Sequence, residues 1–395
     1  MAKVKDIAMQ IRGVSYHPED LHDNLDEDSV VLLRANNIKD GKLILDDVVY
    51  VSKSKVAEQQ YLQTGDILIC ASSGSKELVG KAAFVDSVKN PMTFGAFCKV
   101  VRPQPEYSEY LEHYFNSPVY RRKISALSAG ANINNIKNEH IDNLDIQLVD
   151  EKERREIITI LNELNMLISL RKQQLFKLDE LVKARFVEMF GDPINNPMKW
   201  IVSKIEDIAA QEKNALKAGP FGSALKKEFY VKSGYKIYGQ EQVICGDASF
   251  GDYYIDEEKY KELKNCAVQA GDILISLVGT YGKTLIMPDN YEAGIINPRL
   301  MKITLNKNKV TPIYFKYYFE SDALKASMDA STHGGTMGIL NLGIIRQMKI
   351  QVPPLSIQNQ FATFVERVNQ QKQTVQESLK KLELLKKALM QEYFG

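Results

Sequence analysis

Hydrophobic residues recur at steps of three and four in two long stretches of this chain, one in the middle and one at the end. Such steps place the side chains along one side of an α-helix, as in a coiled-coil seam. The pattern predicts one long helix in residues 149–191 and a second in residues 353–395. The seam positions are Ile157, Leu161, Leu164, Ile168, Leu175, Leu178, Val182 and Met189 in the first, and Phe361, Val365, Val368, Val375, Leu379, Leu382 and Leu389 in the second.

The sequence ahead of each helix has a different pattern, made of short apolar runs separated by Gly, Asn and Asp. "DILICAS" (66–72) and "AFCKVV" (96–101) precede the first helix, and "DILISLV" (272–278) and "RLMKITL" (299–305) precede the second. Short apolar runs between turn residues are typical of β-strands. We therefore expect a mostly β globular domain in residues 1–148 and another, with its linker, in 192–352, with short helices near 107–124 and 311–330.

The two halves of the chain are copies of one another. Gly191 and Gly395 end equivalent helices at an offset of 204, and this offset holds without a gap over about 80 residues. "GDILI" at 65–69 returns at 271–275, although upstream of the gap-free region the offset drifts. The copies agree least in residues 9–60 and 210–265, so a shared scaffold carries divergent loops.

The two apolar seams are best buried against each other, because a lone stripe of this length would be exposed to water. The short link between the first helix and the second domain favours an antiparallel pair. The expected fold class is α+β: two repeated mixed, mostly β domains separated by two long antiparallel coiled-coil helices, forming a dumbbell with a pseudo-two-fold axis.

Composition and motifs argue against an enzyme. The 395 residues have a net charge of +1, no apolar run long enough for a membrane span and no apolar leader, which favours a cytoplasmic protein. The four cysteines lie far apart, so no metal site is expected. "GTYGKT" (279–284) lacks the first glycine of a phosphate loop, and "DEKER" (150–154) suits the start of a helix. We expect no catalytic residues.

Polar loops at matching places in both halves are the candidate functional sites. Their Arg, Asn and Gln side chains can read base edges, while Lys and glycine-rich turns suit phosphate. Arg34, Asn36 and Asn37 in the first half and Tyr238, Gln240 and Gln242 in the second are the candidates for base edges, with Lys81 and Lys283 for phosphate. The other candidates for DNA contact are Arg12, Lys39, Ser73, Lys76, Asn132, Asn134, Lys217, Phe221, Ser223, Thr280, Arg299 and Thr336.

The whole chain resembles the specificity subunits of type I restriction–modification enzymes. The resemblance rests on the repeated order of domain and long helix, and on "AGPFGSALKK", "GDILI", "VPPLSIQNQFATFV" and "KKALMQEYFG". It implies two target-recognition domains, each reading one half of a split double-stranded DNA sequence. It also implies docking to two methyltransferase subunits, which would hold S-adenosylmethionine. Restriction motor-nuclease subunits, which would use Mg and ATP, would join them, and this chain would bind no cofactor.

Two other readings fit part of the pattern. A coiled-coil adaptor with two protein-binding domains would explain the repeat, but not why divergence concentrates in Arg-, Asn- and Gln-rich loops. A specificity chain of a fused methyltransferase-nuclease would differ only in its partner. DNA affinity that falls steeply with salt separates a DNA reader from an adaptor.

Overall fold

A computed structural model of the chain describes residues 1–127, 134–331 and 340–395. The chain divides into two compact units. Unit 1 comprises Met1–Lys172 with Gln376–Gly395, and unit 2 comprises Gln173–Val375. Each unit therefore combines one globular domain with part of each long helix.

The two long helices are confirmed, at Glu151–Phe190 and Leu355–Phe394. The first begins after Asp150, whose carboxylate accepts a hydrogen bond from the backbone N–H of Glu153 at 2.9 Å. A side-chain acceptor at this position satisfies one of the free amides of the first turn. The acidic start of the helix is thus a cap, as the sequence predicted.

The antiparallel direction of the helix pair is visible inside each unit. In unit 1, Ile157 near the start of the first helix lies in one core with Phe394 at the end of the second. In unit 2, Phe190 at the end of the first helix lies in one core with Phe361 near the start of the second. The two helices therefore run in opposite directions, with their predicted seams facing each other.

The globular part of unit 1 is built mostly of short strands. One six-stranded sheet has the order Ala8–Arg12, Cys98–Pro103, Ile67–Cys70, Ala82–Phe84, Lys42–Leu43, Ile38–Lys39, and a four-stranded sheet has the order Met92–Phe94, Ser29–Leu33, Val49–Ser52, Leu21–His22. Two-stranded pairs join Ala2–Lys3 to Asp145–Ile146 and Ser72–Ser73 to Asn134–Asn135. The helices are Ser108–Phe115, Pro118–Leu127 and Asn138–Asp142.

Unit 2 repeats this plan with fewer strands. A four-stranded sheet has the order Leu216–Ala218, Leu300–Ile303, Ile273–Ser276, Thr284–Ile286, and a three-stranded sheet has the order Tyr254–Ile255, Tyr235–Tyr238, Gly294–Ile296. Ile201–Lys204 pairs with Lys349–Val352. The helices are Ile205–Ile208, Gln240–Cys245, Glu257–Glu262, Pro312–Phe319, Asp322–Ser331 and Leu342–Gln347.

An equivalent contact between two aromatic rings holds the end of a long helix in each unit. In unit 1 the ring of Tyr110 contacts that of Phe394, with centroids 5.2 Å apart. In unit 2 the ring of Tyr314 contacts that of Phe190, with centroids 4.7 Å apart. Such edge-on aromatic contacts add to the burial of the rings. The duplication seen in the sequence is therefore also a duplication of contacts.

A pH-dependent stability is expected from Glu112 in unit 1. Burial, assisted by the charges of Asp86 and Glu109, raises the pKa of the Glu112 carboxyl from 4.5 to about 7. The folded state therefore binds the Glu112 proton more tightly than the unfolded state does. The resulting contribution of Glu112 to the free energy of unfolding is present below pH 4.5 and is lost as the pH rises through about 7.

The variant Glu112→Gln should therefore raise the free energy of unfolding at pH 8 by about 1–3 kcal/mol, after allowing for partial exposure. At pH 4 it should have little effect, because the wild-type carboxyl is then mostly neutral. Thermal unfolding at both pH values measures the difference. Glu106→Gln, at an exposed position in the same unit, is the matched control. An equal shift at both pH values would contradict the assignment.

Candidate nucleic-acid interface

A four-residue turn lies at the centre of the polar loops of unit 1. The backbone N–H of Cys98 donates to the carbonyl oxygen of Gly95 at 2.8 Å and closes the turn. The N–H of Gly95 donates to Leu33 O at 2.9 Å, and Phe97 O accepts from the N–H of Ala71 at 2.9 Å. Leu33 and Ala71 lie at the ends of two strands, so the turn fixes the loops that follow both.

Unit 2 has the same turn with a different sequence. The N–H of Leu300 donates to Asn297 O at 3.1 Å, and the N–H of Asn297 donates to Tyr238 O at 2.8 Å. Arg299 O accepts from the N–H of Leu277 at 2.9 Å. Each bond has its counterpart in unit 1, so the two turns are equivalent although "GAFC" and "NPRL" share no residue.

A third loop lies against the turn in each unit, and glycine is needed for this approach. A Cβ atom on Gly13 would lie 2.2 Å from Gly95 O, and one on Gly219 would lie 1.9 Å from Asn297 O. No side chain fits at such distances from a backbone oxygen. "RGVSY" in unit 1 and "AGPFGSALKK" in unit 2 are thereby held beside equivalent turns.

The two lysines predicted to contact phosphate occupy equivalent positions. Lys81 follows Gly80, with φ of +79°, and Lys283 follows Gly282, with φ of +76°. Both glycines adopt the left-handed conformation that favours this residue type. Both lysine side chains are exposed. The geometry leaves each ammonium group available to an anionic partner.

Asn37, a predicted base-reading residue, is buried and only 1% exposed. Its side-chain oxygen accepts from the backbone N–H of Arg34 at 2.8 Å. Its amide nitrogen donates to the carbonyl oxygens of Ile44 and Asp47, both at 2.8 Å. These bonds shape the loop and use the amide group, so Asn37 has a structural role in this conformation.

Gln242 and Tyr238, two further predicted base-reading residues, are also buried in unit 2. Gln242 is 2% exposed; its oxygen accepts from the N–H of Gly239 at 2.8 Å and its nitrogen donates to Phe250 O at 2.7 Å. Tyr238 is fully buried and donates its hydroxyl to Glu292 O at 2.6 Å. Burial raises the pKa of the Tyr238 phenol, so it remains a neutral donor. Neither side chain faces the solvent.

The remaining predicted base readers keep some access to solvent. Asn36 is exposed and donates to a carboxylate oxygen of Asp47 at 2.7 Å, while Arg34 lies 3.3 Å from the same carboxylate. Gln240 is partly buried and donates its amide to Val278 O. DNA would have to compete with these internal acceptors.

The other predicted residues fall into four groups. Arg12, Lys39, Lys76, Phe221, Ser223, Thr280 and Arg299 are exposed, whereas Ser73 and Lys217 are half-buried. Asn134 lies in a short strand and pairs with Ser73. Asn132 and Thr336 lie outside the described residues. These positions stay predictions.

Phe97 is a candidate site residue that was not predicted from the sequence. This side chain is 71% exposed, in the turn position that Arg299 occupies in unit 2. An apolar residue inside "AFCKVV" suggested a core strand, but the strand begins only at Cys98. The offset of 202 that relates Gly80–Lys81 to Gly282–Lys283 also relates "GAFC" to "NPRL" and is the sequence signal for this equivalence.

The variant Gln242→Ala should separate loop structure from base recognition. It leaves Gly239 N–H and Phe250 O without their partner, which should lower the free energy of unfolding by about 1–3 kcal/mol. We expect an unchanged DNA target in the folded variant. Thermal unfolding, and sequencing of methylated DNA in the presence of the methyltransferase that the resemblance implies, test both statements. A changed target at unchanged stability would restore Gln242 as a base reader.

Within the described ranges, every helix is too short or too polar to cross a lipid bilayer. The same residues contain no cluster of three His, Cys, Asp or Glu side chains that could hold a metal ion.

Comparison with known proteins identifies related sequences over nearly the whole chain. Residues 14–180 and 197–384 match the family model of the type I restriction modification DNA specificity domain. The chain is 30% identical over 390 residues to the EcoKI specificity subunit of Escherichia coli K12, covering 93% of this chain and 81% of that protein. It is 28% identical to the StySPI specificity subunit of Salmonella potsdam, with the same coverage.

Two solved structures share the fold. A chain solved in a study of complex assembly and conformational transition of the type I R-M system aligns with a TM-score of 0.59 and 16% identity, covering 99% of this chain and 96% of that one. The S subunit from M. genitalium aligns with a TM-score of 0.52 and 13% identity, covering 100% and 95%.

Proposed function

Because the chain belongs to the type I restriction–modification DNA specificity family, we propose that it reads a split, asymmetric DNA target, one half-site with the loops of each unit. The observation that supports this most is the equivalent turn in the two units. Its backbone bonds are the same, while its exposed side chains differ. One scaffold with two different surfaces suits the reading of two different half-sites.

The side chains that keep access to solvent have the chemistry that DNA requires. Arg34, Asn36 and Gln240 are proposed to contact base edges, since Arg, Asn and Gln can bond bases in the major groove. Lys81 and Lys283 are proposed to contact phosphate. Asn37, Tyr238 and Gln242 are left out because they are buried. The remaining predicted positions, Arg12, Lys39, Ser73, Lys76, Asn132, Asn134, Lys217, Phe221, Ser223, Thr280, Arg299 and Thr336, stay as proposed contacts.

We further propose that the long helices dock two methyltransferase subunits. The first helix exposes large apolar side chains away from its seam: Met166 is 58% exposed in unit 1, and Phe176 is 64% exposed in unit 2. Exposed apolar side chains on a helix suit a protein partner. The partners would supply S-adenosylmethionine and the methyl transfer to adenine, and restriction subunits using Mg and ATP would join through them. The chain itself would be non-catalytic and act in the cytoplasm, where it meets DNA.

The direct test is to sequence methylated DNA from cells that express the chain with its cognate methyltransferase. The expected result is one asymmetric target of two defined half-sites separated by a spacer. Replacing residues 1–148 with the equivalent domain of another family member should change one half-site only. Methylation by the purified chain with S-adenosylmethionine alone, or a change of both half-sites together, would contradict the proposal.

Loss of a phosphate contact should weaken binding to every DNA sequence equally. Lys81→Ala or Lys283→Ala should each reduce the slope of log affinity against log salt by about 0.9, because one counter-ion fewer is released. Titration of labelled duplexes at several salt concentrations measures the slope. Lys5→Ala, which changes an exposed lysine on the 3-10 helix Val4–Asp6 ahead of strand Ala8–Arg12, is the control. Slopes equal to that of the wild type would exclude phosphate contacts at these lysines.

A further inference from the structure

Phe97 and Arg299 occupy equivalent positions of the repeat, but the first side chain is apolar and the second is charged. Each carbonyl accepts from the first amide after a central strand, that of Ala71 in unit 1 and that of Leu277 in unit 2, both at 2.9 Å. Each side chain is exposed and lies in the third position of a closed turn. The duplication thus allows two different side chains to be compared on equivalent backbone turns.

The phenyl ring of Phe97 is exposed without being part of a core. The next residue, Cys98, is fully buried, whereas Phe97 is 71% exposed and joins none of the hydrophobic clusters of the described residues. Arg12, which precedes Gly13 at the same turn, is exposed and charged. A single exposed apolar side chain is common on protein surfaces. This one is notable because unit 2 presents a guanidinium group from the same place.

The turn fixes the backbone that carries both side chains. Backbone bonds on either side of Phe97 tie the turn to two strand ends, and the close approach at Gly13 adds a third contact. In unit 2, the N–H of Arg299 additionally donates to the side-chain oxygen of Asn297 at 2.9 Å. A side chain on a rigid turn can discriminate between bases, because little ordering is needed on binding.

We propose that Phe97 and Arg299 determine the base at equivalent positions of the two half-sites. Phe97 selects thymine through an apolar contact with its 5-methyl group, and Arg299 selects guanine through paired hydrogen bonds to O6 and N7. These are the contacts that each side-chain type makes with base edges in the major groove. The inference rests on the proposed function and adds to it which residue reads which class of base.

The experiment exchanges the two side chains in the full-length chain, expressed with its methyltransferase. In Phe97→Arg, sequencing of methylated DNA should show one position of the unit 1 half-site changed from thymine to guanine. In Arg299→Phe, one position of the other half-site should change from guanine to thymine. Ala96→Arg, which adds the same charge at the neighbouring exposed position, is the matched control and should preserve both half-sites.

A second measurement isolates the methyl group. Uracil replaces thymine at each position of a duplex that carries the wild-type target, which removes the methyl and leaves the base pairing intact. At one position the wild-type complex should lose about 4-fold in affinity, the loss expected for one buried methyl-sized group. The Phe97→Ala complex should bind the thymine duplex more weakly than the wild type by a similar factor. Its affinity for the uracil duplex should be no lower than its affinity for the thymine duplex. If Phe97→Ala and the uracil substitution each lower the affinity independently at every position, so that their losses add, the methyl contact is excluded.

The outcomes separate this inference from the proposed function. A wild-type complex that methylates a two-part target, with Phe97→Arg leaving that target unchanged, overturns the inference alone. The same holds if Phe97→Ala prevents assembly with the methyltransferase, since Phe97 would then contact the protein partner. If the wild-type complex methylates no two-part target, both statements fail. Thermal unfolding should show no loss of stability in any of these variants, because the substituted side chains are exposed.

Discussion

A chain stopped after Gly191 is expected to form a homodimer that directs methylation to an interrupted palindrome. In unit 1, Ile157 and Leu161 lie in one core with Met390 and Phe394, and the truncation removes the last two. Exposing apolar surface costs about 25 cal/mol per Å². The shortened chain can avoid this cost by burying its helix against another copy of itself.

A second copy can replace the missing helix because both helices descend from one sequence. Phe190 repeats Phe394 at the offset of 204. In unit 2, Phe190 already contacts Tyr314 as Phe394 contacts Tyr110 in unit 1. Closed two-fold pairing is the commonest arrangement of identical chains. Two copies of the first domain would then read the first half-site twice, in inverted orientation.

The homodimer should bind less tightly than the native helix pair. Arg171 loses its acceptor, the hydroxyl of Ser378 at 3.2 Å, and meets a different residue in the copy. Sedimentation at micromolar concentration measures the oligomeric state, and sequencing of methylated DNA gives the target. Leu161→Asp in the shortened chain should prevent pairing. A shortened chain that is monomeric, or that still directs methylation to the original asymmetric site, would contradict the expectation.

The variant Asp272→Ala is expected to lower the free energy of unfolding of unit 2 by about 3–5 kcal/mol. The carboxylate is fully buried and accepts from Lys302 Nζ at 2.9 Å, Thr304 Oγ1 at 2.5 Å and the N–H of Gln269 at 3.0 Å. Alanine leaves the ammonium group of Lys302, whose side chain is 7% exposed, without a counter-ion. An uncompensated buried charge costs more than the pair contributes.

Chemical denaturation of both single and double variants tests this reason. Asp272→Ala combined with Lys302→Met should recover much of the loss, because no charge then remains buried. Asp66→Ala removes the equivalent carboxylate of unit 1, which bonds Arg102 at 2.7 Å. Its effect should be smaller, since the side chain of Arg102 is 16% exposed and more easily solvated. A double variant as unstable as Asp272→Ala would exclude the buried charge as the cause.

The long helices could be predicted closely because their signals are local and repeated. Apolar residues at steps of three and four define a helix face whatever surrounds it, and the acidic run at 150–154 marks the start that the structure shows at Glu151. The central strands also followed from the sequence, since runs such as "ILIC" and "ILIS" are bounded by turn residues. The antiparallel direction followed from the short link between the copies.

The candidate site was predictable only in outline. The loops that carry Lys81 and Lys283 were placed correctly at equivalent positions, because glycine and lysine recur there in both copies. The sequence could not show which side chains inside the loops are buried. Asn37 and Gln242 look like base readers in a sequence, since an amide that caps a turn and an amide that reads adenine are the same group.

The sequence by itself determined the duplication, the two helix seams and the strands of each copy, because these depend on spacings of a few residues and on one offset. Only the tertiary structure decided which loop side chains are free to bind. Tyr238 is buried because its hydroxyl reaches the carbonyl of Glu292, 54 residues away. Phe97 is exposed because the turn that carries it is held by strand ends at Leu33 and Ala71. Exposure is set by contacts between distant residues, so no local pattern of hydrophobic and polar positions can give it.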